Sequence, residues 1–149
     1  MPPLVRSILA IVTGFLVIGA LSFGTGAALT AAGVFPDQGA VLVGGKEVVS
    51  LAQPIAAGPL LLETAFVAVY AIFGCWLAAF LAPSRPMRHA LILGLLGLAF
   101  NLAMAVPAWA LGLRPAWSIL LNLALVMPYA WIGGRLREMQ LARTRLAAS

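Results

Sequence analysis

The run SILAIVTGFLVIGALSFGTGAALTA, residues 7–31, decides the fold, because it contains 25 consecutive residues without a charged side chain. A helix of that length rises about 37 Å at 1.5 Å per residue, which exceeds the roughly 30 Å hydrocarbon core of a bilayer. Three further apolar runs of similar length follow at 59–81, 87–111 and 115–134. The pattern predicts an all-α integral membrane protein, a four-transmembrane-helix antiparallel bundle.

Composition agrees with this prediction. The chain has 149 residues, of which 63% are hydrophobic and 9% are charged, and its mean hydropathy is +1.07. Soluble domains carry roughly 25% charged residues, so water is a poor solvent for this surface. We expect one membrane domain over 1–149, with a loop at 32–58, a tail at 135–149 and no soluble module.

The first run could alternatively be a signal peptide. Arg6 precedes it, and the small residues Thr25 and Ala27 could form a cleavage site. Its apolar stretch is longer than the 7 to 15 residues usual in signal peptides, so we predict a helix that is retained.

The distribution of arginine and lysine predicts the orientation. Positive residues are retained on the cytoplasmic side, and seven of them share one side while two fall on the other. The seven are Arg6, Arg85, Arg88, Arg135, Arg137, Arg143 and Arg145, and the two are Lys46 and Arg114. Both termini are therefore predicted in the cytoplasm, with the 32–58 loop outside. In size and pattern the chain resembles small four-span proteins of bacterial inner membranes, which implies the inner (plasma) membrane.

The outer loop contains two short runs rich in β-branched residues, 40–43 and 46–49, joined by Gly44 and Gly45. Two glycines supply the positive φ angles of a tight turn, so a small β-hairpin is predicted. An isolated hairpin is marginal in water and would rest on the helix ends or on a partner. A floppy loop is the alternative.

Small residues recur at helical spacing and predict faces on which helix backbones approach closely. Cys75 has this spacing from Ala71 and Ala79, so we interpret it as a packing residue; a lone cysteine also excludes an intrachain disulfide. The other predicted packing residues are Ala20, Gly24 and Ala28 in the first run and Gly94 and Gly97 in the third.

Two amides are predicted near the middle of the membrane. Asn101 and Asn122 lie eleven and ten residues from Gly112 in the turn between the last two runs. At 1.5 Å per residue both are about 15 to 17 Å deep. We expect them to hydrogen-bond each other and fix the register of the two helices. The alternative is a polar site for a small substrate or ion.

Glu63 is the only acidic residue within a run, and an ionisable group there is a functional candidate by default. Its shallow depth also allows an ion pair with Arg114. Tyr70 is expected on the same face, two turns deeper. Together with the two amides, these residues give the candidate polar intramembrane site: Glu63, Tyr70, Asn101 and Asn122.

Basic residues at the inner ends of the runs are predicted to contact anionic lipid head groups. These are Arg85, Arg88 and His89 in the turn after the second run, and Arg135 and Arg137 in a tail expected to continue as a basic helix. A lone histidine has no second ligand at useful spacing, so no metal or cofactor is expected. The tail lacks the interleaved aromatics of a nucleic-acid binder.

The sequence offers no catalytic constellation. One histidine and no aspartate within a run exclude a Ser-His-Asp triad, so we expect a protein that is not an enzyme. The prediction is a structural, accessory or regulatory subunit that packs on other membrane helices, in homo- or hetero-oligomers, through its glycine and alanine faces. The alternative is a small transporter or channel that uses Glu63, Asn101 and Asn122.

Overall fold

A computed structural model of the chain describes residues 2–35, 38–43, 46–51, 55–110, 112 and 114–147, and for 38–43 and 46–51 it describes the backbone alone. Four helices dominate this part of the chain. In chain order the elements are α1 (Pro3–Ala31), β1 (Gln38–Val43), β2 (Lys46–Leu51), α2 (Ala57–Leu81), α3 (Pro86–Ala110) and α4 (Ala116–Leu146).

All four helices are long and apolar enough to cross a membrane. They contain 25 to 31 residues each, or about 37 to 46 Å at 1.5 Å per residue. Their apolar side chains remain largely uncovered within the chain; at most 28% of the most apolar stretch of any helix is buried. Lipid is the solvent that suits such a surface, so the fold is that of a small multi-pass membrane protein.

The fourth helix continues beyond the predicted span of 115–134, without a break, to Leu146. Two contacts hold this extension against α2: the Trp76 indole donates to Gln140 Oε1 at 3.0 Å, and the Arg137 guanidinium lies 4.3 Å from the centre of the Phe80 ring. The residues of this extension are too polar to be recognised from hydropathy as part of a membrane span. The prediction that the basic tail continues as a helix is confirmed.

The strands β1 and β2 pair antiparallel, with Val43 opposite Lys46 and Gln38 opposite Leu51. Gly44 and Gly45, the predicted turn, lie outside the described residues. The placement of a hairpin on the outer face of the membrane stays a prediction.

Helix α1 ends where its sequence provides a glycine. Gly33 has φ +72°, the left-handed conformation that glycine adopts without strain. The amide of Gly33 donates to the Thr30 carbonyl at 3.0 Å, and the amide of Val34 donates to the Leu29 carbonyl at 2.9 Å. This is the Schellman arrangement, which satisfies carbonyls that the last turn would otherwise leave open.

Glycines set the distances between helices in the half of the bundle nearer the α2–α3 turn. A Cβ on Gly14 would lie 2.7 Å from the Gly74 carbonyl oxygen, so α1 and α2 touch backbone to backbone. A Cβ on Gly133 would lie 2.7 Å from the Ile72 carbonyl oxygen, which gives the same relation between α4 and α2. A Cβ on Gly94 would lie 2.5 Å from Ala130 Cβ. Around these crossings lies the core cluster Cys75, Ala78, Ala79, Ala90, Leu93 and Ala130.

The small-residue face predicted for α1 does not take part in these helix crossings. Ala20, Gly24 and Ala28 are exposed, and no described residue of another helix has an atom within 4 Å of a Cβ built on Gly24. The closest approach of α1 is instead at Gly14, which lies four residues after another small residue, Ala10. Sequence spacing alone could not separate these faces, because both carry small residues at the same interval.

Candidate functional site

A cavity of about 390 Å³ lies among the four helices, toward the end of the bundle that carries the α3–α4 turn. We call it the turn-end cavity. Every helix contributes to its wall, and three of the four predicted site residues line it: Glu63, Asn101 and Asn122. Most of the remaining wall is apolar, with Phe15 from α1 and Phe100 from α3 among its larger side chains.

The cavity exists because the helices pack unevenly along their length. The buried small residues cluster toward the α2–α3 turn, whereas no residue in 101–110 of α3 is buried. Phe15 and Phe100 meet edge to face, with ring centres 5.9 Å apart, and join α1 to α3. Within the described residues, no Cα atom of α1 lies within 8 Å of a Cα atom of α4, which leaves space between the two helices.

An ion pair lies in the cavity wall at the turn end. Arg114 Nη1 and Nη2 donate to Glu63 Oε2 and Oε1, each at 2.7 Å, in a two-pronged arrangement. The Glu63 side chain is 23% exposed and that of Arg114 is 33% exposed. Glu63 lies in the second turn of α2 and Arg114 lies between α3 and α4, so the pair connects α2 to the α3–α4 turn. Glu63 therefore pairs with Arg114, the partner that the sequence analysis suggested.

The two amides do not bond each other, contrary to the sequence prediction. Asn101 Nδ2 donates to the Gly97 carbonyl at 2.8 Å, and Asn122 Nδ2 donates to the Ser118 carbonyl at 2.9 Å. Each side chain thus bonds the carbonyl one turn earlier in its own helix, a local bond that requires no approach between helices. Neither Oδ1 atom has a partner among the described residues, and neither is fully buried.

Tyr70 does not belong to the turn-end cavity. Its hydroxyl lies 2.6 Å from Thr25 Oγ1, which ties α2 to α1. The predicted line of four residues therefore separates into three cavity residues and one helix-bridging tyrosine. Sequence reasoning missed Thr25, and it also missed Ser22, which lines the cavity. A hydroxyl in an apolar run is a weak signal, because it can always bond its own helix.

The predicted head-group residues differ in exposure. Arg85 and Arg88 are exposed, but His89 is only 8% exposed. Its Nδ1 atom lies 3.3 Å from the Arg85 carbonyl oxygen, and Arg85 itself has φ +48°. The prediction of a head-group contact at His89 therefore needs correction, because the ring turns back onto the start of α3.

The two tail arginines also have intramolecular contacts. Arg135 is exposed, lies 5.7 Å from the Trp131 ring centre and pairs with Glu138 at 3.2 Å. Arg137 is only partly exposed, because it lies over the Phe80 ring. Arg135 thus remains available at the surface, whereas part of Arg137 serves to hold α4 against α2.

The polar groups of the turn-end cavity are few. Its carboxylate and guanidinium neutralise each other, and its other polar groups are two amides and two hydroxyls, those of Ser22 and Ser118. Within the part of the chain that the structure describes, no group of three His, Cys, Asp or Glu residues could hold a metal ion. The fold and site together define a small multi-pass membrane protein whose helices enclose a mostly apolar cavity with a few polar groups in its wall. No family model, curated protein or solved structure matches the chain.

Proposed function

We propose that this chain is a non-catalytic accessory or regulatory subunit of a membrane assembly. In this role its helices bind transmembrane helices of a partner through small residues that its own bundle leaves uncovered. The observation that carries the proposal is the exposed face of α1 formed by Ala20, Gly24 and Ala28.

Packing energetics support this role. Transmembrane helices associate mainly by close van der Waals contact, and small residues allow backbones to approach. Inside this chain such residues are used at Gly14, Gly74 and Gly133, where added Cβ atoms would overlap a neighbouring helix. The α1 face also consists of small residues at helical spacing, and it has no neighbour among the described residues. A helix of a second protein can therefore pack against it closely.

The test is retention of a partner in mild detergent by two matched variants. Ala20→Leu adds bulk to the α1 face, and Ala103→Leu makes the same change at an exposed position of α3. We expect a protein that co-purifies with the wild-type chain to be retained by Ala103→Leu and lost from Ala20→Leu. Retention by both variants, or recovery of the wild-type chain alone, contradicts the proposal.

We further propose that the chain lies in the inner (plasma) membrane with both termini in the cytoplasm. The seven-to-two distribution of basic residues supports this orientation. The only cysteine is buried, so Cys75→Ala gives a background for single-cysteine labelling. Ser7→Cys and Ala147→Cys should react with a membrane-impermeant maleimide only after the cells are opened, while Gly58→Cys should react in intact cells. Termini that label from opposite sides exclude this orientation.

Anionic lipids of the inner leaflet are the proposed lipid partners of the basic residues. Arg85, Arg88 and Arg135 are exposed, and each basic residue near a membrane surface contributes about 1 kcal/mol. Replacing these three arginines by glutamine should reduce retention of phosphatidylglycerol over phosphatidylcholine in native mass spectra. Unchanged retention contradicts the proposal.

A small transporter or channel is the second candidate function. It is favoured by the fact that Glu63, Asn101 and Asn122 line one cavity. In pyranine-loaded liposomes, a proton-coupled carrier should conduct protons above the rate of empty vesicles, and Glu63→Gln should remove that flux. Wild-type and Glu63→Gln vesicles with equal flux would rule this candidate out.

A further inference from the structure

We propose that the turn-end cavity binds an uncharged amphiphile whose head group carries a hydroxyl donor. The ligand enters from the lipid and places its hydroxyl among the Asn101, Asn122 and Ser22 side chains. This inference is independent of the proposed subunit role, because it concerns the cavity between the helices and not the outward face of α1.

The charges of the cavity favour an uncharged ligand. Its ionisable wall residues, Glu63 and Arg114, satisfy each other through two bonds of 2.7 Å. A charged head group would have to break this pair or enter beside it without a counter-charge. Either course is costly where water is scarce and the dielectric constant is low.

The unpartnered atoms of the cavity favour a hydrogen-bond donor. Asn101 and Asn122 use Nδ2 to bond their own helices, which leaves two Oδ1 acceptors without a partner among the described residues. Ser22 lines the same wall, and its hydroxyl likewise has no described partner. An amide oxygen can only accept a hydrogen bond, so it requires a ligand that donates. Leaving such atoms unpaired at membrane depth is unfavourable.

The position and size of the cavity favour an amphiphile that enters from the lipid. Phe100 and Met104 line the wall and are 54% and 51% exposed, so this part of the wall also faces the surroundings of the bundle. The volume of about 390 Å³ falls in the range of about 300 to 1,000 Å³ typical of small-molecule pockets. The apolar walls suit a hydrocarbon chain, and the amides suit its head.

The experiment compares three photoreactive probes with the same hydrocarbon chain: a fatty alcohol, its methyl ether and the matching fatty acid. Each is added to the full chain in phosphatidylcholine nanodiscs, and crosslinked peptides are mapped by mass spectrometry. The alcohol should label cavity-lining segments of α1 and α3 about fivefold to tenfold more than the ether, because its single O–H supplies one net hydrogen bond that the ether cannot make. The fatty acid should label less than the alcohol.

Equal labelling by alcohol and ether would overturn the proposal, because the cavity would then admit any lipid chain. Preference for the acid, or labelling no higher than on lipid-facing segments, would overturn it as well. Replacing both amides, Asn101→Leu with Asn122→Leu, should reduce alcohol labelling to the ether level. The control Thr25→Val removes a hydroxyl outside the cavity wall and should leave labelling unchanged. The three-probe comparison on the wild-type chain tests the proposal even where the double variant fails to fold.

A second set of probes distinguishes possible sources of the hydroxyl. A photoreactive diacylglycerol and a photoreactive isoprenoid alcohol both have the required donor but differ in the bulk of their chains. Displacement of the fatty alcohol by one of them identifies the source. Displacement by neither, at concentrations at which the unlabelled fatty alcohol itself competes, restricts the site to single-chain alcohols.

Discussion

The close approach of α4 to α2 at Gly133 gives the sharpest prediction. In Gly133→Ala the new Cβ would lie 2.7 Å from the Ile72 carbonyl oxygen, 2.8 Å from Cys75 Cβ and 2.8 Å from the Trp76 amide nitrogen. Ordinary contact begins at 3.4 Å, so the shortest distance falls about 0.7 Å below it. Two of the three obstructing atoms belong to the backbone and cannot turn aside, so the helices themselves must separate.

The size of the effect follows from this separation. A gap of 0.5 to 1 Å forfeits roughly a quarter to a half of each dispersion contact. Overpacking of this kind costs about 1 to 3 kcal/mol, and the backbone obstruction favours the upper end. Alanine regains up to about 1 kcal/mol because it is a better helix former than glycine. We expect a net loss of about 2 kcal/mol in the free energy of unfolding.

The matched control is the same substitution at an uncrowded position. In the part of the chain that the structure describes, nothing lies within 4 Å of a Cβ added to Gly24. Gly24→Ala should therefore keep only the helix-propensity gain of about 0.5 to 1 kcal/mol. Both free energies are measured by titrating sodium dodecyl sulfate into dodecylmaltoside micelles and following helix content by circular dichroism. Gly133→Ala should unfold earlier than the wild type and Gly24→Ala later. Shifts of the same sign would refute the reasoning.

Three further predictions concern the polar contacts. Glu63→Gln and Arg114→Gln should show a coupling energy of about 1 to 2 kcal/mol in a double-mutant cycle of unfolding free energies. This value lies between those of surface and buried ion pairs, because the pair is partly exposed. A coupling near zero would show that the ion pair does not contribute to stability. Asn101→Leu and Asn122→Leu should add within about 0.5 kcal/mol, because each amide bonds its own helix; a larger coupling would revive direct contact between them. Tyr70→Phe should lower the unfolding free energy by about 0.5 to 1.5 kcal/mol through loss of its bond to α1, and equal stability would contradict this.

The helices were readable from the sequence, but the cavity was not. Hydropathy predicted 59–81 and 87–111, and the structure has α2 at Ala57–Leu81 and α3 at Pro86–Ala110. The pairing of Glu63 with Arg114 also followed from opposite charges at similar depth. The predicted bond between Asn101 and Asn122 was wrong, because each amide finds a nearer partner in a carbonyl of its own helix. Distance between two helices is not a property that the sequence of either one expresses.

The sequence by itself determined that the chain forms four membrane-length helices, since length and apolarity are sums over neighbouring residues and need no knowledge of packing. Only the tertiary structure decided which small residues meet. Gly14, Gly74 and Gly133 each lie against a neighbouring helix. Ala20 and Gly24 are exposed, although they too are small residues at helical spacing. The reason is that the rotation of each helix about its own axis sets which face it turns toward its neighbours. That rotation depends on the packing of all four helices together.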